Sequence, residues 1–321
     1  MIKLLDCTLR DGGYLNDWMF GKDNIDSIIN NLSHAGIEYI ECGFLENIAA
    51  YNHDKTFFKD SSILSSLNVN TNICLMLNYG IDITDFIFDR AVEIRLAFKQ
   101  NHLSEIEKFT QDLISKGLRI SLNPMHIGLY SEEELDLLTA ITNRLHPVCL
   151  TATDTMGIMQ EWDVEKIFYI LDENVHKDIP LGFHSHDNLE LSFKNIRVLS
   201  EMDLSRDIII DTSINGIGRG GGMPNTEAIA EYLNNTYDKN YNLSKIKEAS
   251  TYVQSIKKED KYPYYLSAQY KCHPNYAKFC IEKNISTDKI EIFLKNIPAK
   301  SKTFFSREIA ESILRKYLNL L

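Results

Sequence analysis

An apolar run gives way to polar residues in the segment Leu181-Gly182-Phe183-His184-Ser185-His186-Asp187-Asn188. A short apolar run that ends in this way is typical of a buried strand followed by a loop. Seven further runs of the same kind occur at residues 2–7, 39–43, 72–77, 93–98, 119–123, 148–152 and 208–213. The sequence therefore predicts eight strands within residues 1–235.

Amphipathic segments with helical spacing separate these strands. They lie at residues 25–35, 104–116, 132–143, 164–171, 189–200 and 226–234, and the helical period is weakest at 51–67. Eight strands, each followed by a helix, is the pattern of a closed (β/α)₈ barrel, the TIM-barrel fold of the α/β class. A doubly wound open sheet is the alternative.

The pattern changes after residue 238. The remaining sequence is helix-rich and shows no clear strand; it has a stretch containing Tyr, Pro and His at 262–276, and helices are predicted at 287–295 and 306–318. We therefore divide the chain into a barrel, residues 1–238, and a helical C-terminal extension, residues 239–321. The extension is expected to pack on the barrel or over its mouth.

Composition narrows the class of protein. The chain has 321 residues, 44% of them hydrophobic and 25% charged, which suffices for a large buried core. Its formal net charge of −11 argues against nucleic acid or an anionic membrane as partner. No apolar run approaches about 18 residues, and the N-terminus lacks a signal-peptide pattern. The six cysteines form no CxxC pair, so free thiols in a cytoplasmic protein are expected.

Polar residues follow the first strand in Asp6-Cys7-Thr8-Leu9-Arg10-Asp11-Gly12-Gly13-Tyr14. In this fold, chemistry is located at the C-terminal ends of the strands. Two glycines allow a tight turn there, which leaves Arg10 and Asp11 at the barrel mouth. The alternative interpretation is a turn with a surface salt bridge.

The two histidines at the end of the seventh predicted strand are a candidate metal site. His184 and His186 point to the same side, because side chains alternate along a strand. Two imidazoles suit a divalent cation, and a carboxylate from another strand would complete the site. Such a pair is weak evidence in an exposed strand and stronger evidence at the end of a buried barrel strand.

A glycine-rich loop follows the last predicted strand, in Ile214-Asn215-Gly216-Ile217-Gly218-Arg219-Gly220-Gly221-Gly222-Met223-Pro224-Asn225. Its glycines permit a close approach of the backbone to a ligand. Loops at this place in barrels often bind anions. Asn225 either caps the next helix or offers an amide oxygen to a metal.

Together, these three segments resemble the DRE-TIM metallolyase family, which has an HMGL-like, pyruvate carboxyltransferase-type domain. The family includes 4-hydroxy-2-oxovalerate aldolase, 3-hydroxy-3-methylglutaryl-CoA lyase, and the isopropylmalate, homocitrate and citramalate synthases. Thr8-Leu9-Arg10-Asp11-Gly12 is similar to its TLRDG motif, and His184-Ser185-His186-Asp187-Asn188 to its HxHND motif. The resemblance covers residues 1–235.

The resemblance implies a metal centre. Asp11, His184 and His186 are the implied ligands, with Asn225 as a further one. The implied cofactor is a divalent ion, Mn²⁺ first, with Mg²⁺, Co²⁺ or Zn²⁺ as alternatives. Two histidines and one aspartate leave coordination positions open for a substrate, as in catalytic rather than structural sites.

The resemblance also implies how a 2-oxo acid would be handled. Arg10 would stabilise the enolate oxygen, and Glu41, at the end of the second strand, would orient Arg10. Substrate contacts are predicted at Asp154, Thr155, Arg95, Gly220 and Gly221.

The acid–base residue is left open. In the aldolase branch a histidine lies three residues after the metal-binding aspartate, but this chain has Tyr14 there. Tyr14 is therefore one candidate for proton transfer. His273 and Tyr276 are alternatives if the extension closes over the barrel, and His126 is a third.

Several activities remain to be weighed. The glycine-rich loop contains no cysteine, which argues against the 3-hydroxy-3-methylglutaryl-CoA lyase branch, and its middle departs from the loop of the synthases. We favour a metal-dependent aldolase that acts on a 4-hydroxy-2-oxo acid through a pyruvate-like enolate. Acyl-CoA-dependent condensation on a 2-oxo acid is the first alternative, and a non-catalytic binding or scaffold barrel is the second. The position of the histidine pair argues against a zinc hydrolase.

The expected partners follow from this interpretation. They are a small 2-oxo acid substrate and a second copy of the chain in a homodimer, without nucleic acid or membrane. Aldolases of the resembled type can pair with an aldehyde dehydrogenase, which this sequence leaves undetermined.

Overall fold

A computed structural model of the chain describes residues 1–65 and 67–318. The strands in this part are β1 (Ile2–Asp6), β2 (Tyr39–Leu45), β3 (Phe57–Phe58), β4 (Asn72–Asn78), β5 (Glu93–Phe98), β6 (Arg119–Pro124), β7 (Leu150–Asp154), β8 (Leu181–Ser185) and β9 (Ile208–Thr212). All neighbouring strands are parallel, and β1 pairs with both β9 and β2, so eight strands close into a barrel. The short β3 lies outside the ring, beside β2. The predicted TIM barrel is confirmed.

The helices surround the barrel and extend beyond it. They are α1 (Thr8–Asp11), α2 (Lys22–His34), α3 (Ser62–Ser65), α4 (Leu103–Ser115), α5 (Glu132–Leu145), α6 (Glu161–Asn174), α7 (Ser192–Glu201), α8 (Thr226–Tyr237), α9 (Leu243–Thr251), α10 (Tyr262–Gln269), α11 (Pro274–Glu282), α12 (Thr287–Lys295) and α13 (Arg307–Ile313). None of them is long and apolar enough to cross a membrane.

One expected helix is absent. Residues 79–92, all of which the structure describes, form turns between β4 and β5 rather than a helix. The prediction of a helix after every strand is wrong at this point. The physical reason lies in the spacing of the apolar residues: Ile81 and Ile83, and then Phe86 and Phe88, pack on the core and are two positions apart, which is not the spacing of one helix face.

The barrel strands are buried on both faces. All residues of β2, β7, β8 and β9 are buried, as expected where helices cover the outside of a parallel sheet. The six cysteines are buried and free, which confirms the prediction of free thiols. Because all eight strands are parallel, their C-terminal ends meet at one end of the barrel, which is where the polar segments lie.

The C-terminal helices form a separate apolar core. Its members include Leu266, Phe279, Phe293 and Leu314, whereas Ile246 of α9 belongs to the barrel core. Helix α9 packs against α2. The division of the chain at residue 238 remains a prediction; the apolar cores themselves separate after α9.

Gly43 is required by the path of β2. It lies at an irregularity in the pairing of β2 with β4, its φ is +147°, and an added Cβ would lie 2.0 Å from the carbonyl oxygen of Thr56. Gly36 also has a positive φ, of +85°, but an added Cβ there would have no neighbour within 4 Å.

We predict that Gly43→Ala destabilises the protein much more than Gly36→Ala. Gly36→Ala should cost about 1 kcal/mol of backbone strain, and Gly43→Ala at least about 2 kcal/mol more because backbone atoms must move. Urea unfolding of both variants measures the difference. Equal losses would mean that Gly43 is not sterically required.

Candidate active site

Three potential metal ligands converge at the C-terminal ends of the strands. Asp11 ends α1, directly after β1, while His184 lies in β8 and His186 just beyond it. All three are buried, and one ligand atom from each lies within 4.8 Å of the others. This donor set fits a single divalent cation. Among the described residues a second trio, His146, His176 and Asp178, has similar spacing but is exposed at the other end of the barrel.

The protonation states suit cation binding. Burial lowers the pKa of His186 to about 3, so the ring is neutral, and its Nδ1 has no hydrogen-bond partner among the residues described. Burial alone would raise the pKa of Asp11, but Arg10 and the two imidazoles hold it below its usual range. A carboxylate and a neutral imidazole are the forms that bind a metal.

A chain of buried charges lies beneath the three ligands. Arg10 Nε donates to Glu41 Oε2 (2.5 Å), and Arg95 Nη1 donates to the other oxygen of Glu41 (3.0 Å). Arg95 Nη2 donates to Asp211 Oδ2 (2.6 Å), which lies 2.7 Å from His184 Nδ1. Because an ionised carboxylate only accepts, Nδ1 carries the proton and Nε2 is left free to bind a metal.

A small cavity opens above the ligands. Its volume is about 60 Å³, and its walls include Arg10, Asp11, Tyr14, Thr155, His184 and His186. The Tyr14 ring packs edge-on against Trp18, and the guanidinium of Arg219 lies 5.6 Å from the centre of the Tyr14 ring. We call this space the metal cavity.

The glycine-rich loop closes one side of the metal cavity. The backbone N–H of Arg219 donates to Asp11 Oδ1 (2.7 Å), and a Cβ on Gly218 would lie 2.7 Å from that oxygen. Asn188 Oδ1 accepts from the N–H of Gly221 (2.6 Å), which ties the loop to the end of β8. The loop therefore fixes Asp11 through main-chain contacts.

Comparison with known proteins identifies the family. Residues 87–253, just over half of the chain, match the model of the HMGL-like family. The chain belongs to the HMGL-like family. This relationship confirms the resemblance to DRE-TIM metallolyases and the assignment as an enzyme of that lyase family.

Two relatives with different names show similar identity to this HMGL-like chain. Oxaloacetate decarboxylase of Mycobacterium tuberculosis is 27% identical over 241 residues, covering 72% of this chain and 69% of the relative. 4-Hydroxy-2-oxovalerate aldolase of Pseudoalteromonas translucida is 27% identical over 245 residues, with the same coverage of both chains.

Solved structures share the fold. The N-terminal domain of a proposed aldolase from Bacteroides vulgatus superposes with a TM-score of 0.76 at 23% identity, covering 90% of this chain and 98% of that one. The carboxyl transferase domain of Rhizobium etli pyruvate carboxylase has a TM-score of 0.69 at 14% identity, covering 100% of this chain and 61% of that one.

Arg95 lies in a different place from the one expected of a substrate-binding residue. It is 2% exposed, its guanidinium is held by Glu41 and Asp211, and it does not line the metal cavity. Substrate contact does not fit this position. In the HMGL-like barrel of this chain Arg95 supports the residues above it.

Asn225 is also placed differently from the ligand prediction. Its Oδ1 accepts from the N–H of Ala228 (2.8 Å) at the start of α8, and it is not part of the cavity wall. The structure shows the helix cap, which was the alternative interpretation of this residue, with the amide oxygen engaged by the backbone of α8.

The four candidates for proton transfer lie in different places in the structure. Tyr276 is fully buried in the C-terminal core and donates to the carbonyl of Ser301 (3.1 Å), so a role in proton transfer does not fit. His273 is the N-cap residue of α11, and the ring of His126 lies beside the ring of His273 with ring centres 5.9 Å apart. Both histidines lie outside the metal cavity. Tyr14 alone of the four lines that cavity.

The predicted substrate-binding residues after β7 and in the loop lie in three different places. Thr155 lines the metal cavity, while Asp154 accepts from the N–H groups of Ile158 and Met159 and faces a separate cavity of about 550 Å³. Burial raises the pKa of Asp154 to about 6. Gly220 and Gly221 pack on Asn188, and Gly220 also lines a neighbouring cavity of about 260 Å³.

Sequence reasoning missed Asp211 and Arg219 as site residues. Asp211 interrupts the apolar run of β9 and is fully buried, and a buried carboxylate requires a partner; this was the available signal. Arg219 was given no role of its own within the loop, because its position depends on contacts with α11 that no local sequence pattern predicts.

We predict a graded loss of metal affinity in two variants. Asp11→Asn should abolish Mn²⁺ binding, because a ligand charge is lost. Asp211→Asn should weaken binding about 10–100-fold, because His184 loses the partner that fixes its ring. Calorimetric titration of metal-free protein measures both, with His146→Ala in the exposed trio as the control. Unchanged affinity in Asp11→Asn would refute the assignment of ligands.

Proposed function

We propose that this protein is a divalent-metal-dependent carbon–carbon lyase that cleaves, or in reverse forms, a 4-hydroxy-2-oxo acid through a pyruvate-like enolate. The observation that carries the proposal is the position of Arg10. Its guanidinium is held by Glu41 at 2.5 Å, beside three potential metal ligands and in the wall of the same cavity. The similarity to a 4-hydroxy-2-oxovalerate aldolase supports the same reaction class.

The cation would be held by Asp11, His184 and His186. Mn²⁺ is our first expectation, with Mg²⁺, Co²⁺ or Zn²⁺ as alternatives. When bound, such an ion supplies Lewis-acid polarisation of a substrate keto group.

Arg10 provides the fixed positive charge for the developing enolate. Burial disfavours the charged guanidinium, but Glu41 and Asp11 more than offset this, so the pKa of Arg10 lies above its ordinary value. The group therefore stays charged throughout the reaction. A preoriented charge in a buried site stabilises an oxyanion far more than it would in water.

Tyr14 is the proton-transfer group in this proposal. During cleavage the C4 hydroxyl passes its proton to the Tyr14 oxygen as Tyr14 releases its own proton to solvent, the C3–C4 bond breaks, an aldehyde is released and the electron pair of that bond forms the enolate. A proton returned to C3 then completes pyruvate. Tyr14 lines the metal cavity near Arg219, and the other titratable residues of that wall are the metal ligands and the two arginines.

Decarboxylation of oxaloacetate is a second candidate, favoured by one observation. Within the described residues, the wall of the metal cavity offers neither an imidazole nor a carboxylate beyond the three metal ligands. Loss of CO₂ yields the same enolate without prior removal of a hydroxyl proton, so it needs no such base. A relative named oxaloacetate decarboxylase supports this candidate.

Hydrogen exchange tests the shared enolate. In D₂O with Mn²⁺ present, we expect the enzyme to replace the methyl hydrogens of pyruvate with deuterium, and we expect the Asp11→Asn variant not to do so. Proton NMR measures the loss of the methyl signal. Deuterium that enters the methyl group of acetyl-CoA instead would indicate the acyl-CoA condensation and contradict the proposal.

Replacement of Tyr14 by Phe distinguishes the two candidate reactions. Cleavage of 4-hydroxy-2-oxovalerate should slow about 10²–10⁴-fold, whereas metal content and oxaloacetate decarboxylation should be largely unchanged. Tyr262→Phe, at an exposed tyrosine of α10, is the matched control. If both reactions slow equally, Tyr14 does not act on the C4 hydroxyl.

A further inference from the structure

A second cavity adjoins the metal cavity. Its volume is about 590 Å³, and Met125 and Arg219 belong to the walls of both. We call it the outer cavity. Part of its wall is contributed by His273 and by the segment from Thr303 to Phe305, so the C-terminal extension encloses it from one side. Met125 and Arg219 thus stand between the metal cavity and this larger space.

The wall of the outer cavity is positively charged. Lys99 and Arg219 line it, and its described lining contains no carboxylate. A nearby carboxylate, that of Glu134, is already engaged by Gln100 Nε2 (2.5 Å) and by the N–H of Ser131 (2.7 Å). In the described parts of the chain neither Lys99 nor Arg219 forms an ion pair, although the protein carries a net charge of −11.

The contacts of His273 leave a donor without an acceptor. Its Nδ1 lies 3.2 Å from the N–H of Asn275, and its Nε2 lies 3.2 Å from Nη2 of Arg219. A neutral imidazole has only one accepting nitrogen, so it cannot accept from both. One ring N–H of His273 therefore faces another N–H rather than an acceptor, while Arg219 Nη2 itself donates to Asn275 Oδ1 (2.8 Å).

The imidazole of His126, in the same wall, is affected by the same two cations. Burial, Arg219 and Lys99 together lower the pKa of His126 to about 4. Its Nδ1 has no partner among residues 1–65 and 67–318. His126 is thus a neutral polar group beside two cations, and its buried Nδ1 is without a partner in the described parts of the chain.

We propose that the outer cavity binds a second anionic group, a phosphate or a carboxylate, carried by the aldehyde half of the substrate. The substrate class is then a 4-hydroxy-2-oxo acid that carries a second negative charge on its aldehyde half, rather than one with a neutral alkyl chain there. This inference rests on the proposed lyase function. The volume suits such a group, because ligand sites commonly measure about 300–1,000 Å³.

Matched pairs of aldehydes test the substrate class in the condensation direction. With pyruvate as the donor, glyceraldehyde 3-phosphate should exceed glyceraldehyde, or succinic semialdehyde should exceed butanal, by at least about tenfold in kcat/KM. Lys99→Gln should remove most of that preference and leave the rates with neutral aldehydes unchanged. Lys108→Gln, at an exposed lysine of α4 outside the outer cavity, is the matched control.

Equal rates within both pairs, or equal losses for charged and neutral aldehydes in Lys99→Gln, would overturn the inference. If pyruvate still exchanges deuterium in that case, the lyase proposal survives alone.

Binding of inorganic phosphate to metal-free enzyme gives a readout that needs no turnover. Calorimetry should show binding that weakens at least about fivefold in Lys99→Gln and not in Lys108→Gln. Such binding supports the anion site even if pyruvate exchange fails and the lyase proposal falls. Absence of phosphate binding, or equal binding by wild type and Lys99→Gln, contradicts the anion site.

Discussion

Two guanidinium groups and two carboxylates alternate inside the barrel, from Arg10 through Glu41 and Arg95 to Asp211, and the last of them holds His184. Charges buried in this way are tolerated only when each has its partners, because removal of one leaves another uncompensated. The same contacts orient the guanidinium of Arg10 and the imidazole of His184, which would face the substrate and the metal in the proposed function. The contacts that balance the buried charges are therefore the same contacts that fix the geometry of the site.

The barrel and the C-terminal extension contribute different groups to the site. In the proposed lyase the barrel would supply the metal ligands and Arg10. The extension contacts Arg219, whose Nη2 donates to Asn275 of α11 (2.8 Å), and it lines part of the outer cavity. Under these proposals the reacting bond and the remote end of the substrate would meet different parts of the chain, and changes in the extension would alter which aldehyde is accepted rather than the chemistry at the keto group.

The sequence predicted the closed barrel and the three side chains that converge at its mouth, since both follow from strand spacing and from the rule that strand ends carry the chemistry. It failed where a residue's role depends on distant partners. Arg95 was taken for a substrate contact because nothing local shows that Glu41 and Asp211 hold it. Tyr276 was an alternative only if the extension closed over the barrel; it lies in the C-terminal core, and the sequence of the extension offered no period from which to orient it. For Asn225 the local cap rule was the better guide.

The parallel pairing of β1 with β9 has a consequence for biosynthesis. As the polypeptide emerges from the ribosome, Arg10, Glu41 and Arg95 all appear long before Asp211, the last carboxylate in this series of contacts. An early, partial closure would bury Arg95 without its second carboxylate, at a cost that disfavours it. The series of contacts that ends at His184 is complete only when the last strand has been made.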